Sequence, residues 1–366
     1  MTIPFVDLSR EPEGLHWQIR KRIQSVVKRS NFILGNEVSE FENAFANYLG
    51  VKYCVGLASG TDAILLSLRA LGIGVGDEVI LPAMTFIASV SPLIHLGIKP
   101  VLVDITADIP NIDITKIEKT ITKKTKAIIP VHLHGHPADM ERIMDIAKKY
   151  KLVVIEDAAQ AHGAQVKRKA GTIGDVGCFS FYPSKNLGAW GDAGALVTEN
   201  EDIAKQVRLL RDHGQKEKYE HSILGYNSRL DTIQAVVLKS KLSYLDEWNT
   251  KRRDLAHQYN KLLIDLPIRL PREKKGVRAI YHVYQIQTKQ RDKLHDYLRK
   301  QGIGSSYHYP IPIHLQSALK SLGYKKGSFP VSERFATETL SLPMFPYLKK
   351  REVRYISDTI HAFFTK

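Results

Sequence analysis

The stretch CFSFYPSKNLGAWGDAGALV, residues 178–197, holds one lysine, Lys185, among aromatic and small residues. A strand-like run, CFSFY, precedes it, and a second strand-like run, GALVT, follows after several glycines. Lysines elsewhere stand in solvated clusters such as ITKKTK and PREKKG. Apolar surroundings disfavour the charged form of an amine, and the neutral amine is the nucleophilic one. Taken without other motifs, a lysine at this place would more commonly point to the surface. A reactive role for Lys185 therefore requires partner residues elsewhere in the chain.

The regions around this stretch predict an α/β fold. From Tyr53 to about Leu210, short apolar runs alternate with helical patterns, which is typical of a mainly parallel sheet covered on both faces. The predicted strands are YCVGLA, EVILP, KPVLVDI, KAIIPVHL, LVVIEDA, CFSFY and GALVT.

The pattern changes near Asp231. The segment DTIQAVVLKSKLSYLDEWNTKRRDLAHQYNKLLIDL predicts a long amphipathic helix that leaves the first domain. A strand, YHVYQIQT, and two helices, RDKLHDYLRKQG and REVRYISDTIHAFFT, then predict a smaller α+β lobe. We therefore expect a large domain over residues 1–250, with an N-terminal helical segment, and a small C-terminal domain over residues 251–366.

Composition narrows the functional class. The chain has 366 residues, of which 43% are hydrophobic, and only two cysteines, so a disulfide scaffold or a metal site is not expected. The formal charge of +15 is spread along the chain, which favours a lysine-rich surface over nucleic-acid binding and would attract an anionic substrate. No apolar run approaches the ~20 residues that cross a bilayer, and MTIPFVDLSREPEG has no apolar signal core. We expect a cytoplasmic protein without membrane insertion.

Three motifs supply possible partners for Lys185. ASGTDA, residues 58–63, lies at a strand-to-helix junction, where Gly60, Thr61 and Asp62 either cap the helix or hold an anion. Asp157, in VVIEDAAQAHGA, follows a buried strand at the edge where open α/β sheets bind ligands, although a helix cap is an equal alternative. Ser180 could join Thr61 at a phosphate, or could be an ordinary strand serine.

Together these motifs match one cofactor, pyridoxal 5'-phosphate. It requires a lysine for a Schiff base, an acid at its pyridinium nitrogen and a cradle for its phosphate. Each motif is weak by itself, and it is their combination in one chain that predicts the cofactor.

Several stretches together resemble the sugar aminotransferases of the DegT/DnrJ/EryC1/StrS family, which have the aspartate-aminotransferase-like fold type I. The resemblance covers essentially the whole chain. It implies that Lys185 is the Schiff-base lysine and proton shuttle, Asp157 pairs with the pyridinium nitrogen, and Gln160 bonds the phenolic oxygen. The stretches that carry it are ILGNEVSEFENAFANYLGVKY, ASGTDA, VIEDAAQAHGA, FSFYPSKNLGAWGDAGALV and GYNSRLDTIQA.

The same resemblance implies further contacts and a dimer. Phe86 would stack on the ring, and Gly60, Thr61, Asp62 and Ser180 would hold the phosphate. Such enzymes are similar in being homodimers with active sites at the interface, and Asn227 would reach the phosphate from the other subunit. A branch that removes a hydroxyl has histidine in place of the lysine, so Lys185 favours amino transfer.

The substrate is predicted from the small lobe. HYPIPIHLQ resembles the subgroup that acts at C3 of nucleotide-linked 3-keto sugars, and KLSYLDEWNTKRR with NLGAWGDAGA resembles its 6-deoxyhexose members. We expect transfer from L-glutamate to a dTDP-3-keto-6-deoxyhexose, giving a 3-amino-3,6-dideoxyhexose for glycan, lipopolysaccharide or O-antigen synthesis. The expected substrate contacts are Tyr182, Lys218, Tyr219, His308, Tyr309 and His314.

Two alternatives remain open at this point. One is an aminotransferase for a UDP-linked 3-keto-hexuronic acid, which would call for an extra arginine near the sugar C6. The other is a non-catalytic regulatory protein that binds the cofactor on the same fold, which would predict loss of Lys185 or Asp157.

Overall fold

The computed structural model describes residues 1–365. Its centre is a seven-stranded sheet, as the apolar runs predicted. The strands are β1 (Tyr53–Leu57), β2 (Glu78–Pro82), β3 (Lys99–Val103), β4 (Thr125–Ile128), β5 (Val153–Asp157), β6 (Val176–Ser180) and β7 (Gly194–Thr198).

The sheet has the order β1-β7-β6-β5-β4-β2-β3. β7 is antiparallel to both β1 and β6, and the other neighbouring pairs are parallel. All residues of β2 and β7 are buried, which is expected of a sheet with both faces covered. The predicted α/β class with a mainly parallel sheet is confirmed.

Helices cover the sheet and form much of the small lobe, and short 3-10 turns lie between them. The helices are α1 (Glu13–Arg29), α2 (Asn36–Leu49), α3 (Gly60–Ala70), α4 (Ser91–His95), α5 (Ile114–Ile117), α6 (Met140–Tyr150), α7 (Glu201–Arg211), α8 (Thr232–Leu242), α9 (Leu245–Leu263), α10 (Arg291–Lys300), α11 (Pro330–Glu338) and α12 (Lys350–Phe364). Among residues 1–365, none of them combines the length and the apolar character that crossing a bilayer requires.

The long helix expected after Asp231 is divided in two. α8 ends at Leu242 and α9 begins at Leu245, and Ser243 and Tyr244 form a turn between them. α8 packs against α1 and α2, whereas α9 packs against α12. The two halves share packing at the break, where Leu238 and Leu245 lie in one apolar cluster, and then lead to different helices.

The C-terminal lobe has its own core and a two-stranded sheet of β10 (Tyr284–Gln287) and β11 (Thr339–Leu342). Ile3, at the start of the chain, is buried in this core, and its N–H donates to the Gly302 carbonyl (2.9 Å). The predicted boundary at residue 250 falls within α9 and stays a prediction.

The topology brings the candidate motifs to one edge. β1 and β6 run the same way because both are antiparallel to β7, and β5, β4 and β2 run parallel with β6. The carboxyl ends of these five strands therefore meet, which is where open α/β sheets place their ligands. α3 follows β1, Asp157 ends β5 and Ser180 ends β6.

Candidate active site

A cavity of about 460 Å³ opens at this carboxyl edge, a size within the usual range for small-molecule sites. It collects side chains that stand far apart in the sequence. Ten of the predicted residues line it: Gly60, Thr61, Phe86, Asp157, Gln160, Ser180, Tyr182, Lys185, His308 and Tyr309.

Lys185 stands on the tight loop that follows β6. Its backbone N–H donates to the Tyr182 carbonyl (2.8 Å). A Cβ on Gly188 would lie 2.2 Å from the Pro183 carbonyl oxygen, so the loop requires glycine there. Burial lowers the pKa of Lys185 to about 8, and the charge of Asp157 opposes this shift. A substantial fraction of the amine is therefore neutral near neutral pH.

Asp157 lies at the end of β5 with only 6% of its surface exposed. Its Oδ2 accepts a hydrogen bond from the Ser89 hydroxyl (2.6 Å), and its Oδ1 accepts one from the Ala159 N–H (3.1 Å). Ser89 is in turn 2.7 Å from Thr85 Oγ1. These bonds hold the carboxylate at the cavity wall, where its negative charge acts on Lys185.

The start of α3 faces the end of β6 at very short range. Ser59 is the N-cap of this helix, and a Cβ on Gly60 would lie 2.6 Å from the Ser180 Cβ. Gly194 likewise permits a close approach to Ser59, since a Cβ added to Gly194 would lie 2.2 Å from the Ser59 carbonyl carbon. Glycines thus let the backbone of three segments meet, and the helix N-terminus with Thr61 and Ser180 forms a cradle suited to an anion.

Asp62 is placed differently from the other cradle residues. Its N–H donates to the Ser59 hydroxyl (3.1 Å), and its Oδ2 accepts from the Ser228 hydroxyl (2.8 Å). Asp62 does not line the cavity. The Asp62 N–H therefore takes part in capping the helix, which was the alternative to a direct contact with a phosphate.

The upper wall of the cavity is aromatic. The rings of Phe86 and Tyr309 lie 5.4 Å apart at 34°, and Phe86 is 51% exposed. Gln160 donates through Nε2 to the Tyr309 hydroxyl (3.0 Å) and accepts at Oε1 from the His134 N–H (2.7 Å). Gln160 is therefore fixed in orientation between Tyr309 and the backbone of His134.

Sequence reasoning missed Ser89 and His282, both of which line the cavity. The Nδ1 of His282 lies 3.1 Å from Asn186 Oδ1, so Asn186, the neighbour of Lys185, orients this ring. His282 is the second residue of the run YHVYQIQT, a pattern that predicts only the start of a strand. No local signal marks either residue as part of the site, because Ser89 meets Asp157 and His282 meets Asn186, which come from remote segments.

Several histidines around Lys185 are kept neutral. Burial, together with nearby charges that include Lys185, lowers the pKa of His134 and of His162 to about 3 and that of His308 to about 4. The pKa of His282 is lowered well below its ordinary value, mainly by burial. These rings offer hydrogen bonds without adding positive charge beside the amine.

Three predicted residues lie on an exposed surface outside the cavity of this single chain. Lys218 and Tyr219 connect the short strands β8 (Gln215–Glu217) and β9 (Glu220–His221), and Tyr219 is 82% exposed. Asn227 is also exposed and forms a backbone bridge with Asp212. In this chain these residues do not meet the other site residues.

His314 also lies apart from the cavity, although its sequence neighbourhood predicted a substrate contact. It is 3% exposed, its Nε2 lies 2.9 Å from Glu333 Oε1, and its ring contacts Phe329 edge-on. The loop turns this side chain into the protein because Glu333, on α11, supplies a polar partner there. The structure thus places His314 as a packing residue and gives its predicted substrate contact no support.

No group of three or more His, Cys, Asp or Glu side chains within residues 1–365 is arranged to hold a metal ion. The site instead combines a buried amine, a fixed carboxylate and an anion cradle on an open α/β sheet. That combination defines the class of pyridoxal-phosphate-dependent transferases.

Comparison with known proteins gives the family. The model of the DegT/DnrJ/EryC1/StrS aminotransferase family matches residues 15–361, and the chain belongs to this family. It is 46% identical to a pleiotropic regulatory protein of Geobacillus stearothermophilus over 100% of this chain and 99% of the other. It is 45% identical to a UDP-N-acetyl-3-dehydro-alpha-D-glucosamine 3-aminotransferase of Acidithiobacillus ferrooxidans over 98% and 97%.

A solved structure agrees over the whole fold. The crystal structure of Streptomyces venezuelae DesV in complex with a ketimine intermediate has a TM-score of 0.97 and 42% identity, and the match covers 100% of this chain and 99% of that one. This protein is therefore a sugar aminotransferase with pyridoxal phosphate as its cofactor. Its cavity fits that cofactor, since Gly60 lets the start of α3 lie against Ser180, where an added Cβ would come within 2.6 Å of the Ser180 Cβ, and both residues border the phosphate cradle.

Proposed function

We propose that this chain transfers an amino group from L-glutamate to C3 of a dTDP-linked 3-keto-6-deoxyhexose. Two relatives named for dTDP sugars support the carrier and the position. One, of Aneurinibacillus thermoaerophilus, is a dTDP-3-amino-3,6-dideoxy-alpha-D-galactopyranose transaminase with 43% identity. The other, of Streptomyces venezuelae, is a dTDP-3-amino-3,4,6-trideoxy-alpha-D-glucose transaminase with 42% identity.

The lining of the cavity supports a sugar without a carboxylate at C6. Lys185 is the only lysine in that lining, and no arginine belongs to it among the described residues. A relative of Pseudomonas aeruginosa, 40% identical, is named for UDP-2-acetamido-2-deoxy-3-oxo-D-glucuronate, whose carboxylate would need a cation. A neutral C6 methyl needs none, so the lining that one chain contributes favours the 6-deoxyhexose over the uronic acid.

The geometry of the cavity supports a role for each of several residues. When bound, pyridoxal phosphate supplies a carbonyl for the amino group and a ring that accepts electrons. Asp157, held by Ser89 and Ala159, would carry the negative charge that faces the ring nitrogen. Gln160 would donate to the phenolic oxygen and Phe86 would cover the ring face.

The phosphate would lie in the cradle at the start of α3. The free N–H groups of Gly60 and Thr61 and the Ser180 hydroxyl border that space. Asp62 would support this cradle without contacting the phosphate. Its carboxylate accepts a hydrogen bond from the Ser228 hydroxyl and so anchors the first turn of the helix.

Lys185 Nζ would carry the proton in both halves of the reaction. In its neutral form it takes a proton from Cα of the amino donor, and later returns one to C3 of the sugar. Burial keeps the pKa of this amine at about 8, so both protonation states are accessible near neutral pH.

The sugar would bind on the open side of the cavity. Tyr182 is 55% exposed there, and His308 and Tyr309 come from the small lobe. Because burial keeps His308 neutral, its ring can accept or donate a hydrogen bond to a sugar hydroxyl.

A homodimer would complete the site. Lys218, Tyr219 and Asn227 are exposed, and in the sequence each lies within six residues of Leu224, which is 89% exposed. In a dimer these residues would reach the partner's cavity, where Asn227 would meet the phosphate and Lys218 would offer charge to an anionic substrate. The aminated sugar would serve glycan or lipopolysaccharide synthesis in the cytoplasm.

The test is a substrate panel with the purified protein and L-glutamate. We expect the dTDP-3-keto-6-deoxyhexose to gain an amino group at C3, measured by mass spectrometry and NMR, and Lys185→Ala to abolish turnover. Lys123→Ala, an exposed lysine outside the cavity, is the matched control. Amination of only the UDP-linked 3-keto-hexuronic acid would overturn the substrate proposal. Absence of turnover with every sugar, with cofactor bound, would favour the regulatory alternative.

A further inference from the structure

A second cavity, of about 490 Å³, lies between the large domain and the loop at residues 274–277. The loop after β3 and the first turn of α6 form its other walls. It shares no lining residue with the active-site cavity. Its volume is within the range of small-molecule sites, so it is large enough for a ligand of its own.

The floor of this cavity is apolar. Ile109, Ile112, Ala138 and Met140 line it, and each is exposed by 4% or less. A flat, weakly polar ring can cover such a surface and remove it from water. The floor therefore suits a ligand with a planar body.

The rim is positively charged. Its carboxylates have partners: Asp113 accepts from the Thr115 N–H (3.1 Å), Asp139 caps α6, and Glu141 pairs with Lys167 (3.3 Å). The remaining cations form no ion pair and no side-chain hydrogen bond with any residue from 1 to 365, which leaves them available to an anion. They are Arg142, Arg168, Lys274 and Lys275.

His136 adds an unsatisfied acceptor. It is 8% exposed and lines the cavity, and its Nδ1 lies 3.0 Å from the Pro137 carbonyl oxygen. A carbonyl only accepts, so Nδ1 carries the hydrogen and Nε2 is left with a free lone pair. Nε2 has no hydrogen-bond partner within the described residues, and a buried acceptor of this kind calls for an N–H or O–H donor.

We propose that this cavity is a second binding site for a nucleotide, with the base on the apolar floor and the phosphates at the four free cations. The base would lie beside His136, whose Nε2 lacks a donor. The site lies outside the active site, and it does not depend on which sugar is the substrate.

Hydrogen–deuterium exchange of the holoenzyme with dTDP as the probe tests the site. Since dTDP can also enter the active site, the readout is protection by segment. We expect slower exchange in residues 136–142 and 272–277, in addition to any change in residues 180–190. Inorganic pyrophosphate and thymidine are separate probes, and each should protect the two segments less than dTDP does.

Charge reversal supplies the variant test. Arg168→Glu with Lys274→Glu should weaken the protection of residues 136–142 by dTDP, raising its apparent Kd by about fivefold or more, since each exposed charge pair contributes modestly. Lys123→Glu with Lys326→Glu changes the charge equally on exposed residues outside the cavity and should alter that Kd less than about twofold. Absence of protection in both segments, or an unchanged Kd in the first variant, would overturn the site. Equal protection by pyrophosphate would overturn its assignment to a nucleotide.

Discussion

Replacing Asp157 by Asn in the cofactor-free protein should lower the pKa of Lys185. Burial already lowers this pKa from 10.5 to about 8, and the charge of Asp157 opposes that shift. Asn has nearly the same shape but no charge, so it removes only the opposing effect. The midpoint at which Lys185 loses its proton should therefore move below that of the wild type.

The size of the effect in the wild type follows from the pKa itself. At pH 7.5 an amine with a pKa of about 8 is roughly one-quarter neutral, whereas an ordinary lysine is neutral about once in a thousand molecules. Lys185 should accordingly react with a small aldehyde roughly two hundred times faster than its ordinary value would allow.

Reductive methylation followed by peptide mass spectrometry measures this directly. The apoprotein is treated with formaldehyde and cyanoborohydride between pH 6 and pH 10, and the rate is followed on the peptide that contains Lys185. Lys149 is the internal reference, because it is exposed and the carboxylate of Glu118 raises its pKa. Glu141→Gln, at an exposed acid outside the active-site cavity, is the matched control for loss of one negative charge.

A wild-type midpoint near 10.5 would refute the assignment of burial as the dominant influence on this amine. A midpoint that rises in Asp157→Asn would show that the carboxylate does not act on Lys185 through its charge.

Three further substitutions test the surrounding structure. Gly60→Ala places a Cβ 2.6 Å from the Ser180 Cβ, so it should cost about 1–3 kcal/mol and weaken retention of the cofactor, followed by absorbance during dialysis. Glu156→Gln removes the charge of a fully buried carboxylate that accepts from three backbone N–H groups, and should lower the free energy of unfolding by about 3 kcal/mol in urea melts. Burial would raise the pKa of Asp104, but hydrogen bonds from Ser332 and the N-terminus of α11 outweigh it and lower the pKa. The contribution of ionised Asp104 to the free energy of unfolding is thus present above pH 3.8 and is lost as the pH falls below that value. Asp104→Asn should therefore be less stable than the wild type at pH 7 and should lose less stability on acidification.

Each of these substitutions has a matched control in the chain. Gly14→Ala adds a Cβ with no atom within 4 Å, Glu141→Gln changes an exposed acid, and Asp145→Asn changes another exposed acid. Unchanged cofactor retention in Gly60→Ala would contradict the cradle. If Glu156→Gln had the same urea midpoint as the wild type, the stabilising role of the hydrogen bonds to Glu156 would be contradicted. If Asp104→Asn lost as much stability on acidification as the wild type, the role of the hydrogen bonds to Asp104 would be contradicted.

Local patterns in the sequence predicted the strands, the loop of Lys185 and the strand-end position of Asp157. Each of these depends on a short run of residues: apolar side chains in series make a buried strand, and glycines permit the close turns around Gly60 and Gly188. A single cofactor could be predicted because its lysine, acid and phosphate cradle are all carried by such runs.

The tertiary structure decided which side chains share the cavity. Ser89 and His282 join it, Asp62 turns toward Ser228, and His314 turns toward Glu333. The helix predicted after Asp231 likewise divides at Ser243, and its two halves lead to different helices. These outcomes depend on contacts between segments that are far apart in the chain, and such contacts leave no periodic signal in the sequence around either residue.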